Sequence, residues 1–178
     1  MTELFGREDI VDLLNDLGRR LDDRGLRLDI YVVGGTAMVL AYDRTRLTRD
    51  IDAVWDQVDP VAEAIAEIAE ERGLPRDWLN DRVRPMLPRV FDEGQVEVLT
   101  GPGLAVSVAS ARHLIAMKAR AARDARDLDD LVLLCAREGI DEVTQVLAIA
   151  DEVWGPGMLR EETVFAVREG LIDRGMGE

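Results

Sequence analysis

Two aspartates one residue apart, Asp50 and Asp52, follow a Gly34-Gly35-Thr36 turn by fourteen residues within the stretch YVVGGTAMVLAYDRTRLTRDIDAVW, Tyr31 to Trp55. Alternate residues of a strand share a side, so the two carboxylates point together and Ile51 points away. Carboxylates that close repel and raise one pKa unless a cation stands between them. Mg²⁺ suits them, being a hard ion with oxygen ligands that usually arrives carrying substrate phosphates. The plainer alternative is a polar, solvent-facing sheet edge. It is disfavoured because Asp is depleted in strands and two like charges on one face repel without a partner. Adjacent glycines serve where φ is positive or another group comes close. A tight strand-to-helix turn would explain them, and so would a triphosphate cradle. A helix opening at that turn offers free N–H groups and its dipole to phosphate, with the Thr36 hydroxyl as a further donor. The spacing to the acid pair favours the cradle. Side by side, the two pieces describe a nucleotide–metal site.

The rest of the chain must position these residues. An α+β fold is expected, a small mixed sheet flanked by helices with a C-terminal helical bundle. Ile10, Val11, Leu13, Leu14, Leu17 and Leu21 recur at helical spacing over 7–24, with Gly25 as C-cap. Strands are expected at 28–33, 48–55, 89–91, 95–100 and 104–108, and a helix over 61–72. Residues 77–88 read as a loop with one short turn, anchored by Trp78. Arg82 and Arg84 in that loop either face substrate or are merely exposed. Glu97 is either an outward residue of an alternating strand or a third carboxylate, the outward reading being favoured. Ser110 caps the helix ARHLIAMKARAAR. Within it Lys118 is either an exposed lysine or one held close to a neighbouring site by the short alanine side chains. Asp127 opens the following helix, as a cap or as a site residue, and Asp130 lies one turn on along the same face. Helices over 141–153 and 161–170, split by Gly155-Pro156-Gly157, complete the chain. The division expected is 1–108 as the core and 109–178 as a helical region packed on it.

Composition narrows the choices. The chain has 178 residues, 47% apolar, and a formal net charge of −14. That charge opposes broad nucleic-acid binding, because phosphate contacts need Lys and Arg. Yet Arg44, Arg46 and Arg49 crowd the loop before Asp50, so a local basic face on an acidic body stays open beside a mixed solvated surface. A lone cysteine, Cys135, makes an intrachain disulfide impossible and reads as a core residue. A lone histidine, His113, excludes a His-based metal site or a Ser-His triad. There is no apolar run of membrane-spanning length, so a cytoplasmic protein without membrane partners is expected.

GGT, TRDIDAVW, WLND and SVASARHLIAMKARAARDARDLDDL together resemble the DUF6036/AbiEii-like branch of the polymerase β-type nucleotidyltransferases, which includes the MenT-type toxins of toxin–antitoxin systems. The resemblance covers roughly residues 28–138. Gly-Gly-Thr stands where the superfamily commonly has Gly-Ser, and Glu97 alone is available for its third strand carboxylate. The resemblance implies a polymerase β-type core in which Asp50 and Asp52 bind Mg²⁺ and Gly34, Gly35 and Thr36 form the nucleotide-phosphate turn. It also implies that Lys118 contacts nucleotide phosphates and that Asp127, or else Asp130, completes the site. The implied reaction moves a nucleotide, CMP being favoured, from NTP to the 3′ end of tRNA. The implied partners are NTP, tRNA and a cognate antitoxin. The alternatives are an antitoxin-type enzyme that AMPylates a partner toxin, and a catalytically silent binding module.

Overall fold

Helix α1, Arg7–Asp23, buries Ile10, Leu13, Leu14, Leu17 and Leu21 along one face, as its apolar spacing requires. It ends before Gly25, which turns in the left-handed region at φ +67°. Strand β1 is Leu28–Val32. Helix α2, Gly34–Ala37, is one turn long and runs on as a π-helical turn over Met38–Tyr42. Strand β2 is Ile51–Val54, helix α3 is Asp59–Arg72, and β3 is the two-residue strand Leu79–Asn80. Val96–Gly101 (β4) and Leu104–Val108 (β5) form a hairpin. Helices α4 (Ala111–Ala121), α5 (Ala125–Glu138), α6 (Val143–Trp154) and α7 (Glu161–Ile172) follow. This computed structural model describes residues 4–43, 45–56, 59–122 and 124–178. Arg44, in the arginine-rich loop, lies outside the described residues.

The chain divides into two units, Met1–Met86 with Gln95–Ala109, and Leu87–Gly94 with Ser110–Glu178. The first unit holds a five-stranded mixed sheet in the order β3-β2-β1-β5-β4. Central β1 runs parallel to β5 and antiparallel to β2, and β2 runs parallel to β3. Val32 pairs with Ala53 and with Val108, which fixes the level of β2 in the sheet. Along β2, Ile51 and Ala53 are buried while Asp52 and Val54 are half-buried on the opposite side. The alternation read from the sequence is therefore present, and it turns Asp52 away from the aliphatic layer.

Helix α1 packs on β5 and against α3. Arg20, Arg24 and Arg72 bridge α1 and α3 through Glu67, Glu71, Asp12 and Asp16. The β4–β5 turn sits directly on α1. A Cβ at Gly103, where φ is +70°, would press on the Gly18 carbonyl and stand 2.6 Å from Asp22 N.

Two expectations change here. Residues 77–88 are not wholly loop, because β3 adds to the open edge of β2. Trp78, fully buried, donates from Nε1 to Ile65 O at 3.1 Å, and its own carbonyl accepts from Ile51 N at 2.7 Å. The expected strand at 89–91 is absent. Val90 and Phe91 are exposed, and the next residue, Asp92, accepts from Ser110 N at 2.8 Å and Gly94 N at 3.2 Å. Those bonds fasten the segment to the start of α4 in the second unit.

In the second unit α4 packs with α5, α6 and α7. Ser110 caps α4 by accepting from His113 N at 3.2 Å. Trp154 Nε1 donates to Ala116 O at 2.9 Å, and Arg120 lies 4.2 Å above its ring. His113 is buried between Asp92 and the Val90 carbonyl. Cys135 is buried in α5, which pushes its thiol up to about 11. Among the described residues no helix is long and apolar enough to cross a membrane.

Trp78 ties β3 to α3 and so sets the neighbour of Asp52. Trp78→Ala is expected to destabilise the chain by about 3–5 kcal/mol, read by urea melts followed by circular dichroism. A loss under about 1 kcal/mol would show that β3 is held by other contacts.

Candidate nucleotide–metal site

The acid pair lies at the head of β2. Asp50 is the residue before the strand and Asp52 its second member. The Asp50 carbonyl accepts two hydroxyl donors, Thr36 Oγ at 2.8 Å and Thr48 Oγ at 3.2 Å. Both threonines are buried. Thr48 is itself pinned by paired backbone bonds with Phe5, at 2.7 and 3.0 Å. The Thr36 hydroxyl hydrogen is thus committed to the backbone of Asp50. Thr36 serves this corner by positioning the acid.

Gly34 occupies the left-handed region at φ +63°, and a Cβ there would stand 3.6 Å from Asp52 Oδ2. Only glycine takes this conformation without strain. Gly35 is constrained differently, since a Cβ on it would meet Thr48 Oγ at 3.1 Å. Val33 N donates to Asp52 O at 3.0 Å, which sets the turn beside the strand. The glycine turn and the acid pair therefore form one corner of the first unit. The opening N–H groups of a helix lack intrahelical carbonyls, and those of α2 begin at this corner.

Asn80 is the register partner of Asp52 across β2 and β3. It donates from Nδ2 to Asp50 Oδ2 at 3.2 Å. Its Oδ1 accepts from Arg82 N at 3.2 Å and Arg82 Nε at 3.0 Å. Arg82 in turn donates from Nη2 to Asp50 Oδ2 at 3.2 Å and lies 3.0 Å from Asp77. Arg84 is spent elsewhere, on Asp81 and the Trp55 carbonyl. Burial, then the charge of Asp50, pushes the Asp52 carboxyl above the usual carboxylate range, against the Asn80 amide and the Arg82 charge.

This donor set fits a divalent cation. Two oxygen-only ligands lie together, and a cation between them would oppose the upward push on the Asp52 carboxyl. Among the described residues no group of three or more His, Cys, Asp or Glu comes together. Two carboxylates suffice for Mg²⁺ when phosphate and water oxygens complete its shell. Glu97 is not a third member. It is exposed on β4, and β1 and β5 separate that strand from β2, a distance of about 14 Å at usual strand spacing.

Lys118, Asp127 and Asp130 come together within the second unit. Lys118 Nζ lies 2.8 Å from Asp127 Oδ1 and 2.8 Å from Asp130 Oδ2. The lysine side chain is 12% exposed and Asp130 only 2%. Lys118 is therefore a half-buried ion-pair member, with α5 supplying both acids from successive turns. Asp127 does not cap α5. Asp124 does, accepting from Asp127 N at 3.0 Å.

Sequence reasoning missed Asn80 and Thr48 as parts of the acid corner. Asn80 had a signal, since WLND was among the matching segments, but its role needs the pairing of β3 with β2. Thr48 had none, because its partner is a backbone carbonyl.

Residues 8–152 match the family described as a nucleotidyltransferase of unknown function, DUF6036. No curated protein and no solved structure matches the chain.

Two outcomes follow from the two clusters. Asp52 holds its proton more tightly folded than unfolded. Stability therefore falls as pH rises from the ordinary aspartate value of about 3.9 through the raised one, and the deficit is complete above it. Without divalent cation, Asp52→Asn should melt at a higher temperature than wild type at pH 7, and the gain should vanish at about pH 3. An equal or lower melting temperature at pH 7 would contradict this. Lys118→Ala would remove the ammonium that lies 2.8 Å from buried Asp130 and 2.8 Å from Asp127. The expected loss is about 3 kcal/mol or more in a urea melt, whereas a loss below about 1 kcal/mol would match a solvated pair.

Proposed function

We propose, because this chain belongs to the DUF6036 family of nucleotidyltransferases of unknown function, that it transfers a nucleotide from an NTP to an acceptor hydroxyl. The observation that carries the reading is the Asp50–Asp52 pair set against left-handed Gly34. In this reading Asp50 and Asp52 hold Mg²⁺, which when bound offsets the negative charge of the triphosphate and of the attacking and leaving oxygens. Gly34, Gly35 and Thr36 offer backbone N–H groups to the phosphates, and Gly34 leaves the space beside Asp52 open. The acceptor oxygen bonds to the α-phosphorus, its proton passes to water, and the bond to the β-phosphate oxygen breaks to release pyrophosphate. Thr36 and Thr48 keep Asp50 in place throughout by holding its carbonyl. Lys118 is assigned the role of offsetting charge on the leaving pyrophosphate, an electrostatic contribution, and Asp127 that of fixing the lysine. The 2.8 Å contact between them supports the second assignment.

The acceptor is proposed to be the 3′ end of tRNA, with CTP as donor, and the biological role that of a cytoplasmic toxin countered by a cognate antitoxin. This rests on the resemblance to the MenT-type toxins. A second reading, transfer of AMP onto a partner protein, gains from one observation. Arg20, Arg24, Arg72, Arg84 and Arg174 are engaged by carboxylates of the chain itself. Fewer arginines are then free for RNA phosphates than their number implies.

One experiment separates these readings. The protein is incubated with each α-labelled NTP and Mg²⁺, first with total RNA and then with protein lysate. Label from CTP is expected at the tRNA 3′ end, and Asp52→Ala should lower it by on the order of a hundredfold or more while remaining folded. Label from ATP on protein would favour the second reading. The absence of label in both, or full activity in Asp52→Ala, would refute the transferase reading.

A further inference from the structure

Arg82 stands where a cation is needed, but it is held loosely. Its guanidinium reaches Asp50 Oδ2 at 3.2 Å and Asp77 Oδ2 at 3.0 Å, while its Nε is anchored on Asn80 Oδ1 at 3.0 Å. The side chain is 63% exposed, whereas Asn80 is buried. Exposed ion pairs of this kind contribute little and exchange readily. The Asn80 anchor is neutral, and its Nδ2 has a second acceptor besides Asp50, the Asp77 carbonyl at 3.3 Å. A divalent cation and a guanidinium cannot both sit close to Asp50 without mutual repulsion. A guanidinium released from a carboxylate can instead take two phosphate oxygens through its planar fork.

We propose that Arg82 is the resident counter-ion of Asp50 in the nucleotide-free protein, and that it yields this carboxylate to the divalent cation as it turns to the incoming triphosphate. The proposal rests on the nucleotide–metal reading above and adds a consequence to it. Free divalent cation is disfavoured, because its arrival strands the guanidinium without a counter-charge. The cation–nucleotide complex is favoured, because its phosphates provide that counter-charge. Arg82 is thus a residue that selects the complex over its separate parts, with Asn80 as its pivot and Asp77 as its rest.

The test measures binding, not turnover. Mn²⁺ alone is titrated by electron paramagnetic resonance. The tightest of the four α,β-methylene nucleoside triphosphates is then titrated with Mg²⁺ by calorimetry. Arg82→Gln is expected to tighten Mn²⁺ by roughly fivefold and to weaken the nucleotide analogue by roughly tenfold. Arg82→Lys should restore the weak Mn²⁺ binding but only part of the nucleotide affinity, since lysine keeps the charge and loses the fork. Thermal melts of both variants should match wild type, as expected for an exposed side chain. Mn²⁺ affinity unchanged or reduced in Arg82→Gln would overturn the proposal, as would unchanged nucleotide affinity. Asp52→Asn separates the two levels. If wild type binds Mn²⁺ and Asp52→Asn does not, the nucleotide–metal reading survives whatever Arg82 does. If wild type binds neither Mn²⁺ alone nor the nucleotide analogue with Mg²⁺, or Asp52→Asn binds Mn²⁺ equally well, both fall.

Discussion

Two like charges gathered at the head of one short strand are the constraint to which the first unit answers. The Asp50 backbone is fixed by two buried hydroxyls, and its side chain by an amide and a guanidinium. Asp52 has less help. It is partly desolvated, it feels Asp50, and its carboxyl is pushed upward as a result. An arrangement in which β2 pairs on both sides, glycine removes the nearest side chain, and threonines hold the backbone keeps the acids together despite their repulsion. Such a corner is costly to the isolated chain and useful to one that captures a cation.

The charge of the whole molecule is less one-sided locally than its net value of −14 implies. Glu67 and Glu71 on α3 are held below the usual carboxylate range by Arg24 and Arg20 of α1. Part of the acidic surplus of these helices is therefore matched across a helix pair and does not form an open acidic field. The acid corner differs. Among the described residues it meets its positive charge in an exposed arginine, Arg82, which is shared with Asp77.

The elements with a clear period were legible in the sequence. Helix α1 shows its stripe, the β4–β5 hairpin shows its Gly-Pro-Gly turn, and the alternation through Ile51, Asp52 and Ala53 reproduces the faces of β2. What was hidden depends on tertiary partners. Leu79 and Asn80 are too few to show a strand period, and they pair only because β2 leaves an edge open. Arg89 to Phe91 have strand-like composition, but Asp92 draws the segment onto Ser110. Lys118 in an alanine-rich helix reads either as exposed or as held near a neighbouring site, and its actual partners, Asp127 and Asp130, come from the next helix. Thr36 looked like a phosphate donor, and its hydroxyl is instead spent on a carbonyl fourteen residues away.

The central claim is that the corner formed by Gly34, Asp50 and Asp52 captures a divalent cation with its nucleotide. The most direct measurement is amide nuclear magnetic resonance of the labelled protein as Mn²⁺ is added in trace amounts with a non-hydrolysable triphosphate. The account predicts paramagnetic broadening that begins at Gly34, Gly35, Asp52 and Asn80. Broadening that begins instead along the acidic faces of α1, α3 or α7, with that corner unaffected, would contradict it.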